Sequence, residues 1–90
     1  MRIGVISRQP ALLQRAQHTV IVRGHEAHPA LHDENALALI RSRAIDVLMI
    51  GGGVEAASRM LLLAACAERG VRPLEVFGPD KLQQALDSLA

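Results

Sequence analysis

Along the chain, short continuous runs of apolar residues alternate with longer segments in which apolar residues recur at helical spacing. The apolar run over residues 45–50, interrupted only by Asp46, is typical of a central parallel strand that is buried on both faces. The pattern predicts four strands, at residues 1–7, 26–30, 45–50 and 74–77. It predicts four helices, at residues 10–22, 32–44, 54–69 and 78–89.

Two signals disagree at the end of the first predicted helix. The run from Thr19 to Val22 is rich in β-branched residues, whose propensity favours a strand. Arg23-Gly24, however, is typical of a basic last helical turn followed by a glycine cap, and Arg69-Gly70 repeats this pattern later. We therefore extend the first helix to Val22 and place the second strand at residues 26–30, where Pro29 restricts that strand to a sheet edge.

Strict alternation of strands and helices predicts parallel strands joined by right-handed crossovers, with helices on both faces of the sheet. We expect one α/β domain over residues 1–90, a small three-layer Rossmann-like or flavodoxin-like fold with strand order 2-1-3-4. In such a sheet, ligands bind beyond the carboxyl ends of the strands at the topological switch point. That point lies between the first and third strands.

Composition narrows the possible functions. Half of the residues are hydrophobic and 21% are charged, which excludes a disordered chain. The net charge is +1, the basic residues are scattered and Phe77 is the only aromatic residue, so we expect no nucleic-acid binding. The N-terminus has the pattern of a strand and not of a signal peptide, and no apolar run is long enough for a membrane span. We therefore expect a cytoplasmic protein.

The switch point supplies the candidate ligand site. Ser7 and Arg8 follow the first strand, and Gly51, Gly52 and Gly53 follow the third. A glycine-rich turn before a helix can present backbone amides to an anion, with Arg8 adding charge and Ser7 a hydroxyl. One interpretation is a site for a nucleotide, phosphate or other anion, with Glu55 in the first turn of the following helix. We favour the other interpretation, in which the glycines serve only the backbone, through positive φ or close packing, because their spacing matches no nucleotide-binding motif.

Other chemistry has weaker support. His25, His28 and His32 crowd together, but their spacing fits no known metal site, and we predict none. Ser7 has no evident base, and the single cysteine, Cys66, lies in the middle of a helix and not at its electropositive start. We name no catalytic residue and no cofactor, and we favour a protein that is not an enzyme, with a minor activity in the same crevice as the alternative.

The apolar run from Met60 to Ala67 predicts a third helix that is apolar on more than one side. We expect the sheet to be contacted by four of its residues: Ala57, Leu61, Ala64 and Ala65. A second stripe, formed by Met60, Leu63 and Ala67, then lacks a covering layer and predicts a homodimer. In the alternative, neighbouring helices cover this stripe.

The segment from Asp46 to Glu55, with the sequence D-V-L-M-I-G-G-G-V-E, resembles small bacterial Rossmann-like proteins that carry an I-G-G-G-V-E turn and have no assigned function. The fold also resembles a response-regulator receiver domain with one strand–helix unit missing. Receivers have an acidic pair after the first strand and a phosphoacceptor aspartate after the third; Ser7-Arg8 and Gly51 stand at these places. The resemblance therefore does not imply phosphorelay chemistry. We expect a non-catalytic binding or assembly module, or alternatively an anion-binding domain.

Overall fold

The structure, a computed structural model, describes residues 1–89 and consists of four strands alternating with four helices. The elements are β1 (Arg2–Ile6), α1 (Pro10–Val22), β2 (Glu26–Ala30), α2 (Asp33–Arg41), β3 (Val47–Gly51), α3 (Ala56–Arg69), β4 (Arg72–Val76) and α4 (Pro79–Asp87). All strand pairs are parallel, and the strand order is β2-β1-β3-β4. The predicted flavodoxin-like fold and strand order are confirmed.

The sheet separates two apolar layers, because successive side chains of a strand point to opposite faces. On one face, Val5 of β1 and Met49 of β3 pack with α1 and α4 through Leu13 and Leu86. The opposite face packs against α2 and α3, with these buried residues among its members: Ile6, Ile40, Leu48, Ile50, Leu62 and Cys66. The central strands are therefore buried on both sides, as their continuous apolar sequence predicts.

The helical interpretation of residues 19–22 is confirmed. Val20 is fully buried against the sheet, whereas Ile21 and Val22 are 58% and 69% exposed. Gly24 follows with φ of +87°, a conformation that glycine adopts readily. The β-branched run thus belongs to the last turn of α1, because the packing of Val20 and the helix end at Gly24 outweigh its propensity for a strand.

Several predicted boundaries were wrong by two or three residues. The second helix ends at Arg41 and not at Ala44, because Arg43 has φ of +57° and turns the chain toward β3. The fourth strand begins at Arg72, whose amide donates to the Asp46 carbonyl, and not at Leu74. The third helix begins at Ala56, which leaves Glu55 as its N-cap residue with extended backbone.

The predicted orientation of the third helix was also wrong. Leu62 and Cys66 are fully buried against the sheet, while Ala57, Leu61 and Ala64 face outward. Ala65 packs against the core as predicted, but so does Leu63, which was expected in the uncovered stripe. The rotation follows from two polar contacts: Ser58 bonds to Asp33 of α2, and Arg59 bonds to the carbonyl oxygen of Gly51. These contacts hold that side of α3 inward, and the helical period then brings Leu62 and Cys66 to the sheet.

Both edge strands carry a proline at a position whose backbone nitrogen points toward the open edge of the sheet and not toward the neighbouring strand. The Glu26 and Arg72 amides donate toward the neighbouring strand, so Pro29 and Pro73 occupy outward-facing positions, in keeping with the predicted edge location of Pro29. Proline has no N–H to offer an added strand, which discourages edge-to-edge association. Within residues 1–89, no helix combines the length and the hydropathy that a bilayer crossing requires.

Candidate functional site

The loops after β1 and β3 lie side by side at the carboxyl rim of the sheet. The two strands are paired in parallel register, with Ile6 opposite Ile50. A β-carbon built on Gly51 would lie 3.6 Å from the β-carbon of Ser7. The topology therefore brings Ser7, Arg8 and the glycine turn together at the predicted switch point.

None of the three glycines of this turn is needed for a left-handed backbone. None of them has a positive φ; among the described residues, Gly24, Gly70 and Gly78 are the glycines that do. A β-carbon on Gly51 would come within 3.1 Å of the Ile6 carbonyl oxygen, and one on Gly52 within 3.3 Å of Cδ1 of Phe77. Space is open around Gly53. Of the two backbone explanations for these glycines, close approach therefore applies at Gly51 and Gly52.

Arg8 is the centre of a polar cluster on the α2–α3 side of the rim. Its guanidinium donates to both carboxylate oxygens of Glu55, at 3.1 and 3.0 Å, and to Oδ1 of Asp33 at 2.5 Å. It also donates to the Leu31 carbonyl at 3.0 Å and to Oγ of Ser58 at 3.1 Å. Two carboxylates thus face one guanidinium, so the cluster carries a formal charge of about −1.

The hydrogen bonds of this cluster shift the pKa values of its members. The hydrogen bonds that Arg8 donates to Glu55, and then to Asp33, raise the pKa of Arg8. The Ser58 hydroxyl, followed by Arg8, lowers the pKa of Asp33, and Arg8 lowers the pKa of Glu55. Opposite charges and donated hydrogen bonds both favour the ionised carboxylates. Arg8 is therefore held by internal partners, which reduces the positive charge it can offer to an external anion.

A second arginine anchors the other side of the turn. Arg59 of α3 donates to the carbonyl oxygens of Gly51 and Val54, both at 3.0 Å, and forms a 3.0 Å ion pair with Glu75 of β4. Its guanidinium lies 5.0 Å from the ring centroid of Phe77, within range for a cation–π contact. The turn is thus fixed from α3 as well as from β1.

A cavity of about 160 Å³ opens at this rim between α1, α4 and the sheet. Its lining contains five of the six predicted ligand-binding residues: Ser7, Arg8, Gly51, Gly52 and Gly53. Glu55 is not part of the lining and instead bonds to Arg8. The remaining lining residues, mostly apolar, come from β1, β3, β4 and the facing sides of α1 and α4.

Sequence reasoning missed the partners that hold the two arginines. No contact of Asp33, Ser58 or Arg59 with Arg8 or with the glycine turn was predicted. One signal was available: Glu55 and Ser58 are three residues apart, a spacing that places both on one side of a helix start. Among residues 1–89, no three His, Cys, Asp or Glu side chains are grouped so that they could hold a metal ion.

The outward side of α3 forms a second candidate site, which we call the α3 face and define by Ala57, Met60, Leu61, Ala64 and Ala67. All five are exposed, with Met60 at 72% and Leu61 at 47%. A helix of a soluble domain is ordinarily polar on this side. Apolar surface of this kind is typical of an interaction site.

Comparison with solved structures identifies the architecture. The chain matches the receiver domain of the hybrid histidine kinase CckA over 99% of its own length and 95% of that chain, with a TM-score of 0.69. The chain shares the flavodoxin-like fold of this receiver domain. It matches the chemotaxis protein CheY4 of Vibrio cholerae over 99% of its length and 98% of that chain, with a TM-score of 0.66. Sequence identities are 17% and 15%, so these likenesses establish the fold alone. By sequence, no protein family and no curated protein matches the chain.

Proposed function

We propose that this receiver-fold chain is a non-catalytic assembly module that forms a homodimer through the α3 face. The observation that carries the proposal is the exposure of Met60 and Leu61, 72% and 47%, on a helix whose opposite side is already buried. Burial of this surface against a second copy would remove apolar area from water, which is the main favourable term in association.

The spacing on the α3 face suits helix–helix contact. Ala57, Leu61 and Ala64 recur at intervals of four and three residues, as in the contact seam of a coiled coil. In an antiparallel pair with its two-fold axis between Leu61 and Ala64, each Leu61 would pack against Ala64 of the second copy. A self-complementary patch of this kind is what a two-fold interface requires.

The size and surroundings of the α3 face set the expected strength and geometry. One helix of 14 residues presents less area than the ~800 Å² per partner of a standard interface, so we expect a weak, reversible dimer. The outward-facing prolines of β2 and β4 argue against association through the sheet edges. Helix pairing is therefore the favoured geometry.

The rim of the sheet supports a role without phosphoryl transfer. Gly51 and Arg8 stand where the resemblance to receivers calls for acidic residues, and Arg8 is held by Asp33 and Glu55. The same ion pairs weaken the alternative of a nucleotide or phosphate bound at Ser7, Arg8 and the glycine turn, and that alternative stays a prediction. A cytoplasmic location also stays a prediction.

Sedimentation equilibrium over a micromolar concentration series tests the proposal. We expect the mass of the wild-type chain to rise from 9.7 kDa toward twice that value. Leu61→Glu should remain monomeric, because it places a charge at the centre of the interface. Val22→Glu, at an exposed apolar position of α1 away from the α3 face, is the matched control and should dimerise like the wild type. A wild-type chain that stays at 9.7 kDa, or dimerises equally as Leu61→Glu, would refute the proposal.

A further inference from the structure

The cavity between α1 and α4 combines an apolar interior with two arginines in its lining, Arg8 and Arg15. Its interior is formed by side chains of the sheet and of both helices: Val5, Leu12, Ala16, Met49, Val76 and Leu82. Its volume of about 160 Å³ is close to that of a cavity that holds one benzene molecule, roughly 150 Å³. The space therefore suits a compact apolar group and is too small to enclose both the base and the sugar of a nucleotide.

The charged residues of the cavity lining are Arg8 and Arg15, and the lining contains no acidic residue. Asp33 and Glu55 neutralise Arg8 from the other side of the rim. Arg15 is exposed, and its guanidinium makes no ion pair or hydrogen bond with any residue in the described range 1–89. Arg15 is thus the cation available to a bound ligand, and Gly52 and Gly53 bring the turn amides to the same rim.

We propose that this cavity binds a small monocarboxylate with a compact apolar body, of about the size of benzoate. The apolar body would occupy the space over Met49 and Ala16, and the carboxylate would lie at the rim near Arg15 and the glycine turn. An apolar pocket with a few polar groups at one end is the usual form of a small-molecule site. Free inorganic phosphate would leave the apolar interior unfilled, so it is a poor fit. This inference is independent of the homodimer.

Amide chemical shifts of the ¹⁵N-labelled full chain provide the test, with benzoate, neutral benzyl alcohol and inorganic phosphate as probes. We expect benzoate to shift the amides of Gly52, Gly53 and Ala16 saturably. Ala16→Leu fills the cavity with a larger side chain and should abolish these shifts. Ala11→Leu makes the same change at an exposed position of α1 outside the cavity and should leave them intact.

Arg15→Gln distinguishes the contribution of the Arg15 charge to binding from that of the apolar interior. It should weaken benzoate binding about threefold, as expected for loss of one solvent-exposed ion pair, and leave benzyl alcohol binding unchanged. Thermal melts of each variant establish that it is folded. Benzoate shifts that persist in Ala16→Leu, or that do not saturate in the wild type, would overturn the proposal. Equal shifts with inorganic phosphate would also overturn it, because they would assign the rim to free anions.

Discussion

The three consecutive glycines at the rim offer a sharp test, because alanine should have different effects at neighbouring positions. At Gly51, an added β-carbon would lie 3.1 Å from the carbonyl oxygen of Ile6, a backbone atom of the central strand β1. Neither β1 nor β3 can shift without disturbing the hydrogen bonds between these two strands. We expect Gly51→Ala to destabilise the fold by about 1–3 kcal/mol, the usual range for overpacking.

Gly53 is the matched control within the same turn. Its surroundings are open and its φ is outside the left-handed region, so alanine fits. Gly53→Ala should stabilise the fold by about 0.4–1 kcal/mol through a less flexible unfolded chain. Gly52→Ala should have an intermediate effect, because the nearest atom, at 3.3 Å, belongs to the exposed side chain of Phe77 and not to the backbone.

Thermal and urea unfolding of the three variants measure these differences. For a domain of this size, about 1 kcal/mol corresponds to a shift of about 4–8 °C in the melting temperature. We therefore expect Gly51→Ala to melt well below Gly53→Ala. If Gly51→Ala is as stable as Gly53→Ala, the close approach of β3 and β1 at the rim is wrong, and so is the adjacency of the two loops.

Three further predictions follow from individual contacts. Arg8→Gln should lower stability at neutral pH by about 1–2 kcal/mol through loss of the Arg8–Asp33 bond. The folded-state pKa values of Asp33 and Glu55 are lowered, so the extra stability of the wild type over Arg8→Gln should be present above the ordinary pKa values of these carboxyls and should be lost as the pH falls below them. Urea unfolding of both proteins at a series of pH values measures this difference. Equal loss of stability in acid for the two proteins would contradict the prediction. Arg2 forms a two-point ion pair with Asp46 that lowers the Asp46 carboxyl pKa to about 2, and an NMR titration should show this pKa return toward 3.8 in Arg2→Gln. Leu62→Ala should lower stability by about 2–5 kcal/mol, whereas Leu61→Ala, measured at low protein concentration, should lower it by less than about 1 kcal/mol. A larger loss for Leu61→Ala than for Leu62→Ala would show that Leu61 faces the sheet, as expected from sequence.

The fold could be predicted from sequence because its signals are local and repeated. Four apolar runs alternate with four helical segments, and handedness rules then leave few arrangements of the sheet. Even the ambiguous end of α1 was decided by Arg23-Gly24. The orientation of α3 could not be predicted in this way, because Leu61 and Leu62 are both apolar. Which of them meets the sheet depends on the distant contacts of Ser58 and Arg59.

The candidate site was predictable only in its position. Topology alone places Ser7 beside Gly51, whatever side chains the loops carry. The partners of Arg8 lie 25 and 47 residues away, at Asp33 and Glu55, and nothing in the local sequence pairs them. The cavity between α1 and α4 is likewise formed by residues from five elements and the loops between them, so its size depends on three-dimensional packing.

Disulfide trapping tests the homodimer most directly. The chain's single cysteine, Cys66, is fully buried, and burial raises its thiol pKa to about 11, so an added surface cysteine would be the reactive thiol. Ala64→Cys places that thiol on the α3 face, close to the proposed two-fold axis, and Ala11→Cys places it on exposed α1 as the control. Under mild oxidation, Ala64→Cys should form a covalent dimer of twice 9.7 kDa much faster than Ala11→Cys. Equal rates for the two variants would contradict the proposed interface.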